Sequence, residues 1–257
     1  MAYDLSRLSK PDGNRPIICT IFAEAGLGKT TLAAMFPRPV FIRTEDGTQS
    51  LVGNDDVALF PIAKTSEEVL DQIEALATDE HDFQTVVIDS ITQLATMIES
   101  EIVDSDPKAK SINQAGGGYG AGYNTAADRH RTVREWAGAL AYERGMNVVF
   151  IGHADTETLD LPDADPYARY TVRMHKKSLP SYTDNVDLVG FIRLETFVRG
   201  DGDKKRAVST GKREIICFPQ AANVSKNRFN ITKPLPFNFE TGFPFAEFVA
   251  AKKETTK

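Results

Sequence analysis

The chain has 257 residues, 41% of them hydrophobic and 26% charged, the balance of an ordinary globular protein, which excludes a disordered, fibrous or collagenous chain. No apolar run reaches the roughly 18 to 20 residues that a membrane helix needs, and the opening M-A-Y-D-L-S-R-L-S-K-P-D-G lacks the apolar core of a secretory signal. The net charge of −6 hides a gradient: residues 1–168 hold 13 basic and 27 acidic residues (net −14), residues 169–213 hold 11 and 5 (net +6), and the remainder 6 and 4 (net +2).

Strands and helices alternate from the start, which predicts one α/β domain with a mainly parallel sheet and flanking helices. Residues 16–22 (P-I-I-C-T-I-F) read as a buried strand and 29–36 as the helix after it, while 39–42 make a second strand and 57–62 a weaker one. Thr65 opens a helix with Glu68 at capping-box spacing, and Val69, Ile73 and Leu76 give that helix one apolar face. A buried strand over 85–88, a helix over 91–102, a Gly-rich segment over 105–123, a long helix over about 125–144 and a strand over 147–152 follow. Beyond residue 153 the alternation stops, and strands over 188–198 and 213–218, separated by a G-D-G-D-K-K turn, predict a C-terminal antiparallel extension. The chain, 1–257, reads as a single domain with its core over about 16–237 and flexible tails over 1–15 and 245–257. Cys19 and Cys217 lie in apolar strand-like runs and read as buried small hydrophobes, which fits a reducing cytoplasm.

Residues 23–30 spell A-E-A-G-L-G-K-T between a strand and a helix, the setting of a phosphate-binding P-loop. Gly26 and Gly28 let the backbone curl, so that the N–H groups of Ala25, Gly26, Leu27, Gly28, Lys29, Thr30 and Thr31 face phosphate. Lys29 then reaches the β- and γ-phosphates, and the Thr30 hydroxyl ligates Mg²⁺. Ala23 stands where the pattern has its first glycine. ATP and Mg²⁺ are the expected cofactors. A metal so placed needs a second carboxylate, and T-V-V-I-D ends an apolar strand in Asp89, although a strand-ending Asp is also a common helix N-cap. Ser90 follows it, where ring ATPases of the AAA+ type place their catalytic Glu. The acid that activates water is therefore expected at Glu45, in F-I-R-T-E-D-G at the end of the second strand, where ligands of parallel sheets bind.

These motifs, in this order, resemble the RecA/RadA recombinase superfamily, and in particular the short RecA-like ATPases that bacteriophages encode as single-strand annealing or recombination proteins. F-I-x-x-E is similar to the strand carrying that family's catalytic glutamate, and V-V-I-D-S to its Walker B strand. V-V-F-I-G-H resembles the strand whose last residue senses γ-phosphate, which implies that role for His153. S-K-N-R-F-N-I-T-K-P-L-P-F resembles the segment whose two basic residues reach the neighbouring subunit's nucleotide, which implies that Lys226 and Arg228 act across an interface. Y-G-A-G-Y, followed by a long helix ending E-R-G-M, looks like the phage members.

The resemblance implies a RecA-like P-loop NTPase core that hydrolyses ATP with Mg²⁺, partners that include single-stranded DNA, further copies of the chain in a ring or filament, and a single-strand-binding protein, and a place in the cytoplasm of a bacterial host. Two segments fall where such proteins put DNA-binding loops: 108–123, with Lys108, Lys110, Tyr119 and Tyr123 among glycines, and 155–177, with Arg169, Arg173, Lys176 and Lys177. Cations neutralise phosphates and aromatics offer stacking faces, a combination suited to single strands. The rival expectation is a replication accessory factor or helicase-loader-like module whose nucleotide state controls a protein partner. A small-molecule kinase fits less well, since no Arg-rich lid helix is evident.

Overall fold

The apolar run after Pro16 forms the central strand β1, Ile18–Ala23, buried along its whole length. The computed structural model describes residues 8, 15–200, 206–238 and 242–249. β1 lies between two parallel neighbours. β5, Asn147–Leu161, pairs with it from Ile18↔Val148 to Ala23↔His153, and β7, Leu188–Arg199, from Cys19↔Leu188 to Ala23↔Ile192. With β2 (Pro39–Arg43), β3 (Ala58–Leu59), β4 (Thr85–Asp89), β8 (Arg206–Ile216) and β10 (Leu235–Phe237) the sheet runs β10-β8-β7-β1-β5-β4-β2-β3. Strands from β7 to β3 are parallel, and β8 and β10 add the expected antiparallel extension. Short β9, Lys226–Asn227, pairs antiparallel with β7.

Alternation along β1 separates two cores, because successive side chains of a strand face opposite ways. Ile18 and Phe22 join a cluster with α2 (Ser66–Thr78), α3 (Ile91–Asp104) and α4 (Ala121–Ala139). Cys19, Ile21 and Ala23 join a second one with Leu32 and Ala33 of α1 (Lys29–Ala34), Phe36 and Phe245. Both layers of helix therefore rest on one sheet. Phe245 is fully buried, its ring 6.1 Å from that of Phe36, so the flexible tail expected from residue 245 is corrected for 245–249. The rest of that tail, and nearly all of 1–15, lies outside the described residues. Both cysteines are free and buried, and burial pushes each thiol's pKa up.

Local signals account for most element ends. The Thr65 hydroxyl caps α2 by accepting the Glu68 N–H at 3.1 Å, while the Glu68 carboxylate takes the Lys64 N–H at 2.7 Å in place of that of Thr65. Val69, Ile73 and Leu76 are the buried face of that helix. The weak strand at 57–62 shrinks to two residues. α4 begins at Ala121, earlier than the pattern suggested, because Gly120 supplies a left-handed N-cap and Gly122 lets the helix meet the preceding loop: a Cβ there would stand 2.2 Å from the Ile112 carbonyl oxygen. Its last turn, Leu140–Arg144, is π-helical.

The largest departure follows His153. β5 continues to Leu161 and β6, Ala164–Val172, returns antiparallel to it, so most of the segment expected as a loop over 155–177 is a hairpin. Val172 closes its base against Gly152, where a Cβ would lie 2.7 Å from Val172 Cγ1, and Tyr170 stacks on Phe191 at 4.8 Å. No helix among the described residues is long and apolar enough to cross a membrane.

Candidate nucleotide site

The loop after β1 turns through Gly26 (φ 78°) and Gly28 (φ 93°), both in the left-handed region. A Cβ on Gly26 would meet nothing within 4 Å, so the glycine serves the dihedral rather than the space. Lys29 opens α1, and its ammonium folds back to donate to the carbonyls of Ala23 (3.3 Å) and Glu24 (3.1 Å). Burial holds its pKa below the ordinary lysine value; Asp89 and Glu45 oppose that shift, and Arg173 adds to it. Of the expected loop residues, Leu27 packs its side chain against the core and is not among those that line the cleft.

Thr30 Oγ1 donates to Asp89 Oδ2 at 2.7 Å, which joins the helix after β1 to the end of β4. Burial raises the Asp89 pKa, against the Thr30 hydrogen bond. The N-cap of α3 is Ser90, whose hydroxyl accepts the Gln93 N–H at 3.2 Å. Asp89 is thereby spared the capping role and left for the cleft. Ser90 Oγ also donates to Glu45 Oε1 at 2.6 Å. Thr44 ties the two strand ends together, its hydroxyl accepting from Ser90 N and donating to Ser90 O, each at 2.9 Å.

His153 ends the stretch of β5 that pairs with β1, and its backbone N–H donates to Thr92 Oγ1 at 2.9 Å. Its Nδ1 lies 3.4 Å from the Lys29 ammonium and its Nε2 lies 3.2 Å from Glu45 Oε1. An ammonium only donates, so Nδ1 accepts and the ring proton sits on Nε2, directed at the carboxylate. That hydrogen bond, with the one from Ser90 and the charge of Lys29, holds the Glu45 pKa below its usual value despite burial.

Lys29, Thr30, Glu45, Asp89 and His153 thus converge on one cleft of about 350 Å³, with Ala25, Gly26, Gly28 and Thr31 on its loop side. Sequence reasoning missed Asp46, Ser50 and Arg213 on its rim. Arg213 comes from β8, a strand far along the chain that no motif links to the P-loop. Ser90 was read only as part of a Walker B pattern, and its bond to Glu45 carries no sequence signal.

Among the described residues no group of three or more His, Cys, Asp or Glu side chains is placed to hold a metal unaided. The donor set nevertheless fits Mg²⁺: a hydroxyl and a carboxylate 2.7 Å apart are hard oxygen donors, and such a site is completed by phosphate and water oxygens.

The other expected residues scatter. Lys226 donates to the Asp184 carbonyl, and Arg228 pairs with Asp187 at 2.9 Å, at the end of β1 remote from the P-loop. Tyr123 stacks on His175 at 3.8 Å, and Lys177 reaches Asn124 Oδ1 at 2.7 Å, so the two expected DNA segments meet there. Lys108, Lys110 and Lys176 are exposed, as is Tyr119. Arg169 is engaged by Glu157 at 2.7 Å within the hairpin, and Arg173 lies beside Glu45 and His153, so neither joins that surface.

A parallel sheet with a P-loop after its central strand β1 and acids at the ends of β4 and β2, beyond β5, defines an ATPase-type P-loop domain. A family model described as an AAA domain matches residues 15–229, and the chain belongs to that family. No curated protein matches the chain.

Proposed function

We propose that the protein is a Mg²⁺-dependent ATPase that acts on single-stranded DNA in recombination, annealing or repair, and that it works as an assembly of its own copies. The observation that carries the hydrolytic part is the carboxylate of Glu45, held ionised by His153 and Ser90 across the cleft from Lys29 and the Thr30–Asp89 pair. In the reaction a water oxygen bonds to the γ-phosphorus, the bond to the β–γ bridging oxygen breaks, and the water proton passes to Glu45, leaving ADP and inorganic phosphate. Lys29 leaves its two carbonyls to meet phosphate oxygens, while His153 and Ser90 orient the base. Thr30, and Asp89 through water, would hold Mg²⁺, which supplies neutralisation of the phosphate charge. What favours the RecA-type arrangement over an acid placed directly after Asp89 is Ser90, which fills that position and turns its hydroxyl to Glu45.

The DNA part is supported by the meeting of Tyr123, His175 and Lys177 beside exposed Tyr119 and Lys176, stacking faces interleaved with cations. Lys226 and Arg228 are too far round the sheet to serve their own P-loop, which favours action on a neighbour's nucleotide. The test is ATP turnover with and without an oligonucleotide, together with the salt dependence of binding. Stimulation by single strands, and a steep salt slope that flattens when Lys108, Lys176 and Lys177 are replaced by Ala, are expected. Turnover indifferent to DNA would instead favour an accessory module that controls a protein partner.

A further inference from the structure

A second cavity, of about 780 Å³, adjoins the nucleotide cleft and shares Ala25, Glu45 and His153 with it. The far wall of this cavity carries Tyr170 and Arg173. Arg173 follows directly on β6, and the base of the hairpin holds it beside the expected γ-phosphate sensor: its backbone N–H donates to the His153 carbonyl at 2.8 Å, and Nη2 donates to the Ala154 carbonyl at 3.1 Å.

Arg173, like Arg43 and Arg134, bonds only neutral oxygens, but of these three it alone lines the cavity that adjoins the nucleotide cleft. Arg129, Arg169 and Arg193 each hold a carboxylate at 2.7–2.8 Å. Arg173 makes no such ion pair with any described residue; its one side-chain hydrogen bond is to a neutral carbonyl. Its charge is felt at Lys29, where it disfavours the ammonium. Glu45, the acid that the two cavities share, is already engaged by His153 and Ser90. Glu24 and Asp155 also line the second cavity, and neither pairs with Arg173, whose remaining guanidinium donors face that space uncommitted. A guanidinium with free donors matches phosphate geometry.

We infer that Arg173 binds the γ-phosphate of the nucleotide on its own chain, as a second cation in cis with Lys29, rather than contacting DNA. This rests on the ATPase reading above. ADP lacks the phosphate that Arg173 meets, so the residue distinguishes the two nucleotides, and it acts in each subunit whether or not a neighbour is present. In the transition state the charge spread over the γ-phosphoryl oxygens strengthens the contact.

The experiment measures ADP and a non-hydrolysable ATP analogue binding to the full chain, in wild type, Arg173→Ala and Arg173→Lys. For Arg173→Ala the analogue should bind roughly 10-fold more weakly or worse while ADP affinity is unchanged, with single-turnover hydrolysis in the absence of DNA reduced roughly 10²-fold or more. Arg173→Lys should fall between, since it keeps the charge and loses the fork. The salt slope of oligonucleotide binding should be that of wild type in both variants. An unchanged preference for the analogue over ADP, or a flattened DNA slope, would overturn the assignment, as would equal losses for the two nucleotides. If wild type binds neither nucleotide, the ATPase reading fails instead, and the two failures are thereby told apart.

Discussion

The two ends of β1 hold the same kinds of side chain and use them differently. At the end carrying the P-loop, Lys29, Glu45, Asp89 and His153 face a shared cleft, and each keeps capacity to bind something else. At the opposite end Asp187, with its side chain 4% exposed, accepts from the Ile18 N–H at 3.0 Å, from Arg228 at 2.9 Å and from Arg15. The carboxylate's own capacity is spent there: it closes the start of β1 and fixes the segment that carries Arg228, whose side chain stays 51% exposed. A charged cluster thus reads as a site or as a fastening according to whether its hydrogen-bonding capacity is already spent.

The widest effect should come from the open end. Glu45→Gln should retain nucleotide binding and lose roughly 10² to 10⁴-fold in turnover, because an amide orients water without taking its proton. Lys29→Ala should abolish nucleotide binding with little change in the thermal unfolding midpoint. Normal hydrolysis by Glu45→Gln would move the base to another acid and dissolve the contrast.

At the closed end the expected loss is of stability. Asp187→Ala leaves the buried Ile18 N–H without its acceptor and returns two half-exposed arginines to water, and should lower the unfolding free energy by about 2 kcal/mol, with nucleotide affinity per folded molecule unchanged. Chemical denaturation beside a binding titration checks it. A selective loss of nucleotide affinity would show that the two ends are coupled.

Between the ends lies a buried histidine that titrates. His130, 1% exposed, has Nδ1 at 2.9 Å from the Tyr182 hydroxyl, and burial lowers its pKa from 6.5 to about 4. The folded state therefore resists a proton that the unfolded chain accepts. Stability from this group is complete above pH 6.5 and drains away as pH falls towards about 4, on the order of 3 kcal/mol in all. Urea midpoints across that window should flatten in His130→Gln; an equally steep fall would assign the acid sensitivity elsewhere.

Arg228→Ala should have the smallest effect on stability, about 1 kcal/mol or less, since its side chain is 51% exposed. A turnover defect beyond that, restored in part by mixing with Lys29→Ala protein, is expected if Arg228 serves a neighbour. Full activity as a monomer would leave Arg228 as a fastening alone.

The sequence by itself determined the alternation of strands and helices, the P-loop, and the strand ends that deliver Asp89, Glu45 and His153. These are legible because buried parallel strands are short apolar runs, and because the residue ending such a run emerges at the ligand-binding edge of the sheet. The hairpin after His153 escaped notice because its side chains are mostly exposed and polar, so that no apolar face marks the period. Tertiary structure alone decided which charges are free. Asp187 holds Arg228 by one donor, Glu157 pairs with Arg169, and Ser90 caps a helix so that Asp89 need not, while Arg173 reaches the nucleotide region from the end of a hairpin with no motif. Charge is a property of a residue type and can be read in order along the chain. Whether that charge is already satisfied depends on partners brought from far along the chain, such as Arg213, Glu45 and Asp89 meeting round one cleft, and only the folded sheet supplies them.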